Sequence, residues 1–410
     1  MHGKDDLIPF EEAIDRVISV VVPLPVCELR VEEAVGLFLA EPVVAVENSP
    51  AAPISAMDGY AITETVFRQL VEEGTAVVKV VGEIVAGCPG FDTEPAHNEV
   101  VRIFTGAVVP KWAKAVVKQE DTTCSGEQLI IQARVKEGQY IRDVGSDVLS
   151  GTQVCGQGDL ITPQAVGLLC SLGIERVRVR PKPRVGIVTT GSELVSQGKI
   201  ERGQTRDSNG PSLQAMALAL GAREVMRRCV RDNPDEIASA IDQICPHVDL
   251  LVTTGGVSVG KYDIVKNILI SLGFKELFWR VAQRPGMPLF AGVRDGLLVL
   301  GLPGNPASAL ASFLCYAWPV LRRLQGAKTE RVRAKAIMKR EAKKQKRFTA
   351  MLRGRRSFDG ATILVETTGP QESHQLLPFV KADCLILGPP DKEILEVGLE
   401  VEIVPFPWAI

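Results

Sequence analysis

Between Pro183 and Leu324 the chain alternates short apolar runs with longer amphipathic stretches. Val185–Thr189, Val225–Val230, Asp249–Thr253 and Leu297–Leu300 read as strands. Ser212–Leu220, Asn233–Ile244, Tyr262–Leu272 and Pro306–Leu324 read as the helices between them. Val185–Thr189 is apolar almost throughout, as a parallel strand buried on both faces must be. This alternation predicts a doubly wound α/β unit, in which ligands bind beyond the carboxyl ends of the strands.

The flanking segments have another texture. From Asn48 to Asp147 short β-like runs recur at Ala76–Val81, Val100–Phe104, Ala115–Lys118 and Leu129–Val135. Glycine and proline punctuate them, which predicts a β-rich module. The tail from Gly326 also returns to short strands. Pro9–Ser19 reads as an amphipathic helix, Val31–Leu39 as a helix or turn, Pro163–Leu172 as a helix and Val177–Arg180 as a strand. A chain of 410 residues accommodates several domains of ordinary size.

Composition excludes several classes. The formal net charge is −2, with none of the basic excess that gripping nucleic acid requires. The basic stretch Arg331–Arg347, with Lys343, Lys344, Lys346 and Arg347, reads as a solvated edge strand. Nine cysteines lie scattered without a Cys-x-x-Cys pair, and the four histidines show no zinc spacing. Reduced thiols and no apolar leader predict a cytoplasmic protein. Leu297–Leu321 carries no charge and is long enough to span a bilayer, but Pro303-Gly304-Asn305-Pro306 cuts it. A buried strand, loop and helix are expected there, and no membrane contact.

Three loops follow predicted strands. The first, Thr190-Gly191-Ser192-Glu193-Leu194, offers an open backbone, a hydroxyl and a carboxylate. The second runs Thr254-Gly255-Gly256-Val257-Ser258-Val259-Gly260-Lys261-Tyr262-Asp263. Its spacing approaches a phosphate loop, but Tyr262 stands where Ser or Thr must hold magnesium, so a Walker NTPase is rejected. A glycine-rich helix start still presents N–H groups to an anion, and Asp263 is placed to hold a metal or orient a nucleophile. The third, Gly301-Leu302-Pro303-Gly304-Asn305-Pro306-Ala307-Ser308, puts Asn305 at an N-cap and Pro306 at the first helical position. Three such loops on one sheet edge point to an anionic, phosphate-bearing ligand. Arg280 and Arg284 upstream are permanent cations, suited to an oxyanion or to a surface ion pair. In the β module, Ser55–Ala61, Arg102–Ala107 and Ile141–Asp147 each set a polar group beside a glycine.

Taken in order, Ser55–Ala61, Arg102–Pro110, Val116–Glu120, Ile141–Val148, Thr189–Leu194, Gly255–Asp263, Arg284–Pro288 and Gly301–Ser308 resemble the MoeA family, the molybdopterin molybdenumtransferases, which includes the E domain of gephyrin. The resemblance spans about Pro9 to Phe406. It implies an elongated protomer with four units: 1–47 together with 148–180, a β-rich module at 48–147, an α/β molybdopterin-binding domain at 181–326, and a C-terminal β-barrel at 327–410. It implies a homodimer with the cleft shared between subunits. The implied reaction consumes molybdate and adenylylated molybdopterin with magnesium, releases AMP and leaves molybdenum on the dithiolene.

Position by position, the resemblance makes Asp58, Thr105, Glu193 and Asp263 catalytic, with Glu193 and Asp263 holding magnesium. It assigns the substrate to Arg142, Asp147, Thr190, Gly191, Ser192, Asp232, Gly255, Gly256, Ser258, Gly260, Arg280, Arg284, Pro303, Gly304, Asn305 and Pro306. Arg280, Arg284 and Met287 stand where relatives often carry lysine. Two alternatives are a molybdopterin adenylyltransferase, which shares the α/β unit, and a non-catalytic dimeric scaffold. The extra β module and barrel argue against the first, and the retained Asp58, Glu193 and Asp263 against the second. Nothing in the residues separates molybdate from tungstate.

Overall fold

Strand Arg184–Thr190 is buried almost end to end because it has parallel partners on both sides, Glu224–Val230 and Leu250–Thr254. Leu250–Thr254 pairs in parallel with Leu297–Leu302 in turn. These relationships come from a computed structural model that describes residues 7–256 and 264–409. Helices Pro234–Ile244 and Ile264–Ser271 cover one face of the sheet through Ile237, Ile241, Val265 and Leu269. Asn209–Ala219, Phe10–Ser19 and the helical rod Pro306–Leu324 cover the other. Helix Phe10–Ser19 turns Phe10, Ala13, Ile14 and Val17 into this core, so its apolar stripe is spent on the α/β unit.

The sheet has six strands, and its far edge is antiparallel. Leu297–Leu302 pairs with Phe290–Arg294, which pairs with Lys275–Trp279. The sequence reading assigns no strand to either of these two segments. The rod Pro306–Leu324 is not uniform: Phe313–Ala317 forms a π-turn between two α-helical pieces. Pro319 supplies a reason, since its missing N–H and its ring disrupt an ordinary α-helical ladder one turn back.

The β module forms its own sheet, in the order Ala115–Lys118, Gly59–Ile62, Glu99–Ile103, Thr75–Ile84, Gln128–Gln132 and Thr122–Ser125. Helix Glu64–Glu73 packs on it through Val66 and Leu70. Segments on either side of the module pair with each other: Cys27–Arg30 and Phe38–Leu39 flank Arg176–Arg180, and Val43–Val44 pairs with Gln153–Cys155. Val31–Leu39 is therefore a 3₁₀ turn followed by a short strand.

In the tail, Thr349–Asp359, Thr362–Thr367, Ala334–Met338, Glu400–Pro405 and Cys384–Gly388 pair in a ring that returns to Thr349–Asp359, a closed five-stranded barrel. The first arginines of the basic stretch are paired rather than free. Arg333 meets Glu11 at 2.9 Å and Glu402 at 2.8 Å, and Arg331 meets Glu11 at 2.7 Å. Gln283–Arg284 also adds in parallel to the barrel at Thr349–Ala350, which ties the α/β unit to it. All nine cysteines are unpaired. No described helix is long and apolar enough to cross a membrane.

Candidate active site

The parallel strands deliver their following loops to one cavity of about 750 Å³. Arg184–Thr190 supplies Thr190, Gly191 and Glu193; Leu250–Thr254 supplies Gly255 and Gly256; Leu297–Leu302 supplies Pro303, Gly304, Asn305 and Pro306. Gly255 has φ +96°, and a Cβ there would collide with the carbonyl oxygen of Thr190. Only glycine lets the first two loops approach this closely.

Hydrogen bonds lock the loops together. Thr254 Oγ1 donates to the Pro303 carbonyl at 2.8 Å. Asn209 Nδ2 donates to Thr254 Oγ1 at 3.0 Å and to the Gly304 carbonyl at 2.8 Å. Asp207, buried on the cavity wall, accepts from the Gly210 N–H at 2.9 Å, from Thr189 Oγ1 at 3.1 Å and from Arg227 Nη1 at 3.3 Å. Ser192 and Asp232 hold each other: the Ser192 N–H donates to Asp232 Oδ2, and the Asp232 N–H to Ser192 Oγ, both at 3.2 Å. Asp232 lines the cavity.

Glu193 folds its carboxylate over Gly191, where an added Cβ would meet the two oxygens at 2.8 and 2.9 Å. Around it the lining is mixed in charge, carrying Glu193, Asp207 and Asp232 as well as Arg206 and Arg284, with the His374 imidazole among them. Arg284 rises from the strand pairing with the barrel, and its guanidinium lies 5.0 Å from the Phe348 ring centroid. Such a mixture suits an anion that arrives with a cation.

The barrel adds Ser373 and His374, which the sequence reading missed, together with Asn209, Asp207 and Arg206. Asn305 Nδ2 donates to Ser373 Oγ at 3.1 Å, and the Ala307 N–H to the Ser373 carbonyl at 3.0 Å. Asn305 stands at the expected N-cap, but its side chain makes no capping bond: the Ala307 N–H that a cap would accept from goes to the Ser373 carbonyl instead. Pro306 occupies the helix start as expected. Beneath this loop Arg353 is 0% exposed, and its Nη2 donates to the carbonyls of Pro370 at 3.0 Å and Glu372 at 3.1 Å.

Other expected residues lie elsewhere. Arg280 does not line the cavity; its N–H donates to the Leu289 carbonyl at 3.1 Å and its guanidinium sits 5.9 Å from the Trp279 ring centroid. Ser258, Gly260 and Asp263 fall outside the described residues, so of the expected magnesium pair only Glu193 is described. No group of three or more metal-ligating side chains is clustered among the described residues.

A second group assembles at one end of the β module. The Ser55 N–H donates to the Ala107 carbonyl at 2.9 Å, the Gly106 N–H to the Ser55 carbonyl at 2.8 Å, and Ile141-Arg142 pairs with Ile54-Ser55. This stitching brings Asp58 to Thr105, whose N–H and Oγ1 donate to Asp58 Oδ1 at 2.8 and 2.7 Å. The two bonds, with Arg102 nearby, hold the Asp58 carboxyl below its usual range. Arg142 is exposed, and the Asp147 N–H donates to the Ser49 carbonyl at 3.0 Å. Among the described residues no backbone hydrogen bond or strand pairing joins residues 48–147 to the α/β unit.

Comparison with known proteins agrees with this geometry. Residues 8–173 match the MoeA N-terminal region (domain I and II), residues 186–323 the "Probable molybdopterin binding domain", and residues 335–406 the MoeA C-terminal region (domain IV). A molybdopterin molybdenumtransferase of Haemophilus influenzae is 34% identical over 386 residues, covering 92% of this chain and 93% of the relative. One from Staphylococcus epidermidis is 31% identical over 399 residues, covering 97% and 95%. The crystal structure of the molybdopterin biosynthesis MoeA protein from Pyrococcus horikosii superposes with a TM-score of 0.81 at 26% identity, covering 98% of this chain and 99% of that one. With full-length relatives above 30% identity and all three regions matched in order, the chain belongs to the MoeA family of molybdopterin molybdenumtransferases.

Proposed function

We propose that this chain inserts molybdenum from molybdate into adenylylated molybdopterin, breaking the phosphoanhydride and releasing AMP. The observation that carries the reading is a glycine-walled cavity on the α/β sheet edge, in a chain related over its full length to proteins named molybdopterin molybdenumtransferase. The Gly191, Gly255 and Gly304 loops offer backbone approach to phosphate oxygens. Arg284 supplies a fork of donors for an oxyanion. The full-length relationship favours this reading over an adenylyltransferase or a scaffold.

Magnesium suits the donor set. The Glu193 carboxylate has no hydrogen-bonding or ionic partner among the described residues, and magnesium prefers such oxygens together with retained water. Glu193, with Asp263 as the expected second ligand, would hold it, and the ion would neutralise charge on the phosphoanhydride oxygens. Asp58, kept ionised by Thr105, belongs to the same reaction in this reading. In this reading the chain forms the homodimer that the family resemblance implies, with the Asp58–Thr105 group set against the cavity of a second copy. That no backbone hydrogen bond or strand pairing joins the β module to the α/β unit among the described residues is compatible with it. The same reading takes the chain as four units, divided near residues 48, 148, 181 and 327, and as cytoplasmic.

The test is AMP release from adenylylated molybdopterin with magnesium and molybdate. Release that depends on molybdate is expected; none, with the pterin still bound, would refute the reading.

A further inference from the structure

Gln283 precedes Arg284 and is 0% exposed. Its Nε2 donates to the Gly286 carbonyl at 2.8 Å, bracing the turn that carries Arg284, and to Ser312 Oγ at 3.5 Å. Its Oε1 accepts from the Tyr316 hydroxyl at 2.6 Å. A flipped amide would set Oε1 against the Gly286 carbonyl, two acceptors face to face, so that carbonyl fixes the amide's orientation and leaves Oε1 to accept the Tyr316 proton.

Tyr316 and Ser312 are also 0% exposed, and Tyr316 sits within the π-turn of the helical rod. A π-turn re-aims side chains and recurs near functional sites. The braced turn has little room to shift. A Cβ on Gly286 would meet Ser312 Oγ at 2.9 Å and Pro303 Cγ at 3.3 Å, and the Gln283–Arg284 backbone is paired to the barrel. Pro303 in turn accepts from Thr254. The Tyr316–Gln283 pair thus joins the Arg284 turn to the loops that form the cavity, although neither residue lines it.

We propose that Tyr316, acting through the Gln283 amide, is a positioning residue that sets the Arg284 guanidinium for anion binding in the cavity. The proposal rests on the reading of the cavity as an oxyanion and phosphate site. Tyr316→Phe keeps the ring, including its edge contact with Phe10, and removes only the hydroxyl. It should raise KM for adenylylated molybdopterin, and Kd for molybdate by calorimetry, roughly 5- to 20-fold, with kcat within about twofold. In an Arg284→Ala background the same substitution should change either constant by less than about twofold, since the two act as one unit. Val320→Ala, buried in the same rod, serves as the stability control and should lower Tm without moving KM.

An unchanged KM and Kd in Tyr316→Phe, an equal rise in the Arg284→Ala background, or an equal rise in Val320→Ala would each overturn the proposal. If the wild type releases no AMP yet Tyr316→Phe still weakens molybdate binding, the assigned reaction fails and the positioning role stands. If the wild type neither releases AMP nor binds molybdate, both fail.

Discussion

Asp58 receives both the N–H and the hydroxyl of Thr105 on a single carboxylate oxygen, at 2.8 and 2.7 Å, although the two residues are 47 positions apart. The bonds favour the ionised form, so the folded carboxyl titrates below its ordinary range. A depressed folded pKa contributes stability that is present above the unfolded value and lost as pH falls through the folded one. Thr105→Val deletes the hydroxyl bond and keeps the backbone bond. The acid limb of the pH–rate profile should then move to higher pH, while Asp58→Ala should abolish molybdenum insertion with the fold intact. A profile unchanged in Thr105→Val would separate the pair from catalysis.

Gly255→Ala forces a side chain into a left-handed backbone and against the Thr190 carbonyl. The left-handed conformation alone costs about 1–2 kcal/mol in a non-glycine residue. Calorimetry should show Tm lowered by more than about 3 °C for a unit of this size. Molybdate binding should fall as well, because the first two loops can no longer close together. A variant with wild-type Tm and affinity would contradict the account of how those loops meet.

Arg284 is a cavity cation whose backbone is paired to the barrel. A hydrogen bond to a charged group is worth roughly 1.5–3 kcal/mol, so Arg284→Ala should weaken anion binding about 10- to 100-fold. Arg284→Lys should restore only part of this, since it keeps the charge and loses the planar fork. Titration calorimetry with molybdate measures both variants. Full recovery by lysine would mean that charge alone matters there.

Glu193 tests the magnesium assignment. Chelation of divalent ions should stop AMP release, and added magnesium should restore it. Glu193→Ala should raise the magnesium concentration needed for half-maximal release, with a smaller effect on saturated turnover. Equal magnesium dependence in wild type and variant would remove Glu193 from the metal's ligands.

The α/β alternation was legible because a strand buried on both faces must be largely apolar, and Val185–Thr189 is, up to its final threonine. The loops after those strands were legible from glycine and proline, whose backbone constraints are local. Lys275–Trp279 and Phe290–Arg294 were missed: an antiparallel edge lacks the continuous apolar run of a central parallel strand. Ser373 and His374 were missed for another reason. They reach the cavity because Arg353 braces their loop from within the barrel while Asn305 and the Ala307 N–H tie it to the α/β unit, contacts between distant segments with no local pattern. Asn305 shows the same limit, since a side-chain cap was the local expectation and a tertiary partner, the Ser373 carbonyl, accepts from the Ala307 N–H instead.

The most direct test of the transferase assignment is to measure molybdenum gained by the pterin and AMP released in the same reaction, with purified protein, adenylylated molybdopterin, magnesium and molybdate. The account predicts both products in equal amounts, with AMP release absent when molybdate is withheld. AMP released at the same rate without molybdate, or no molybdenum gained by the pterin, would contradict it.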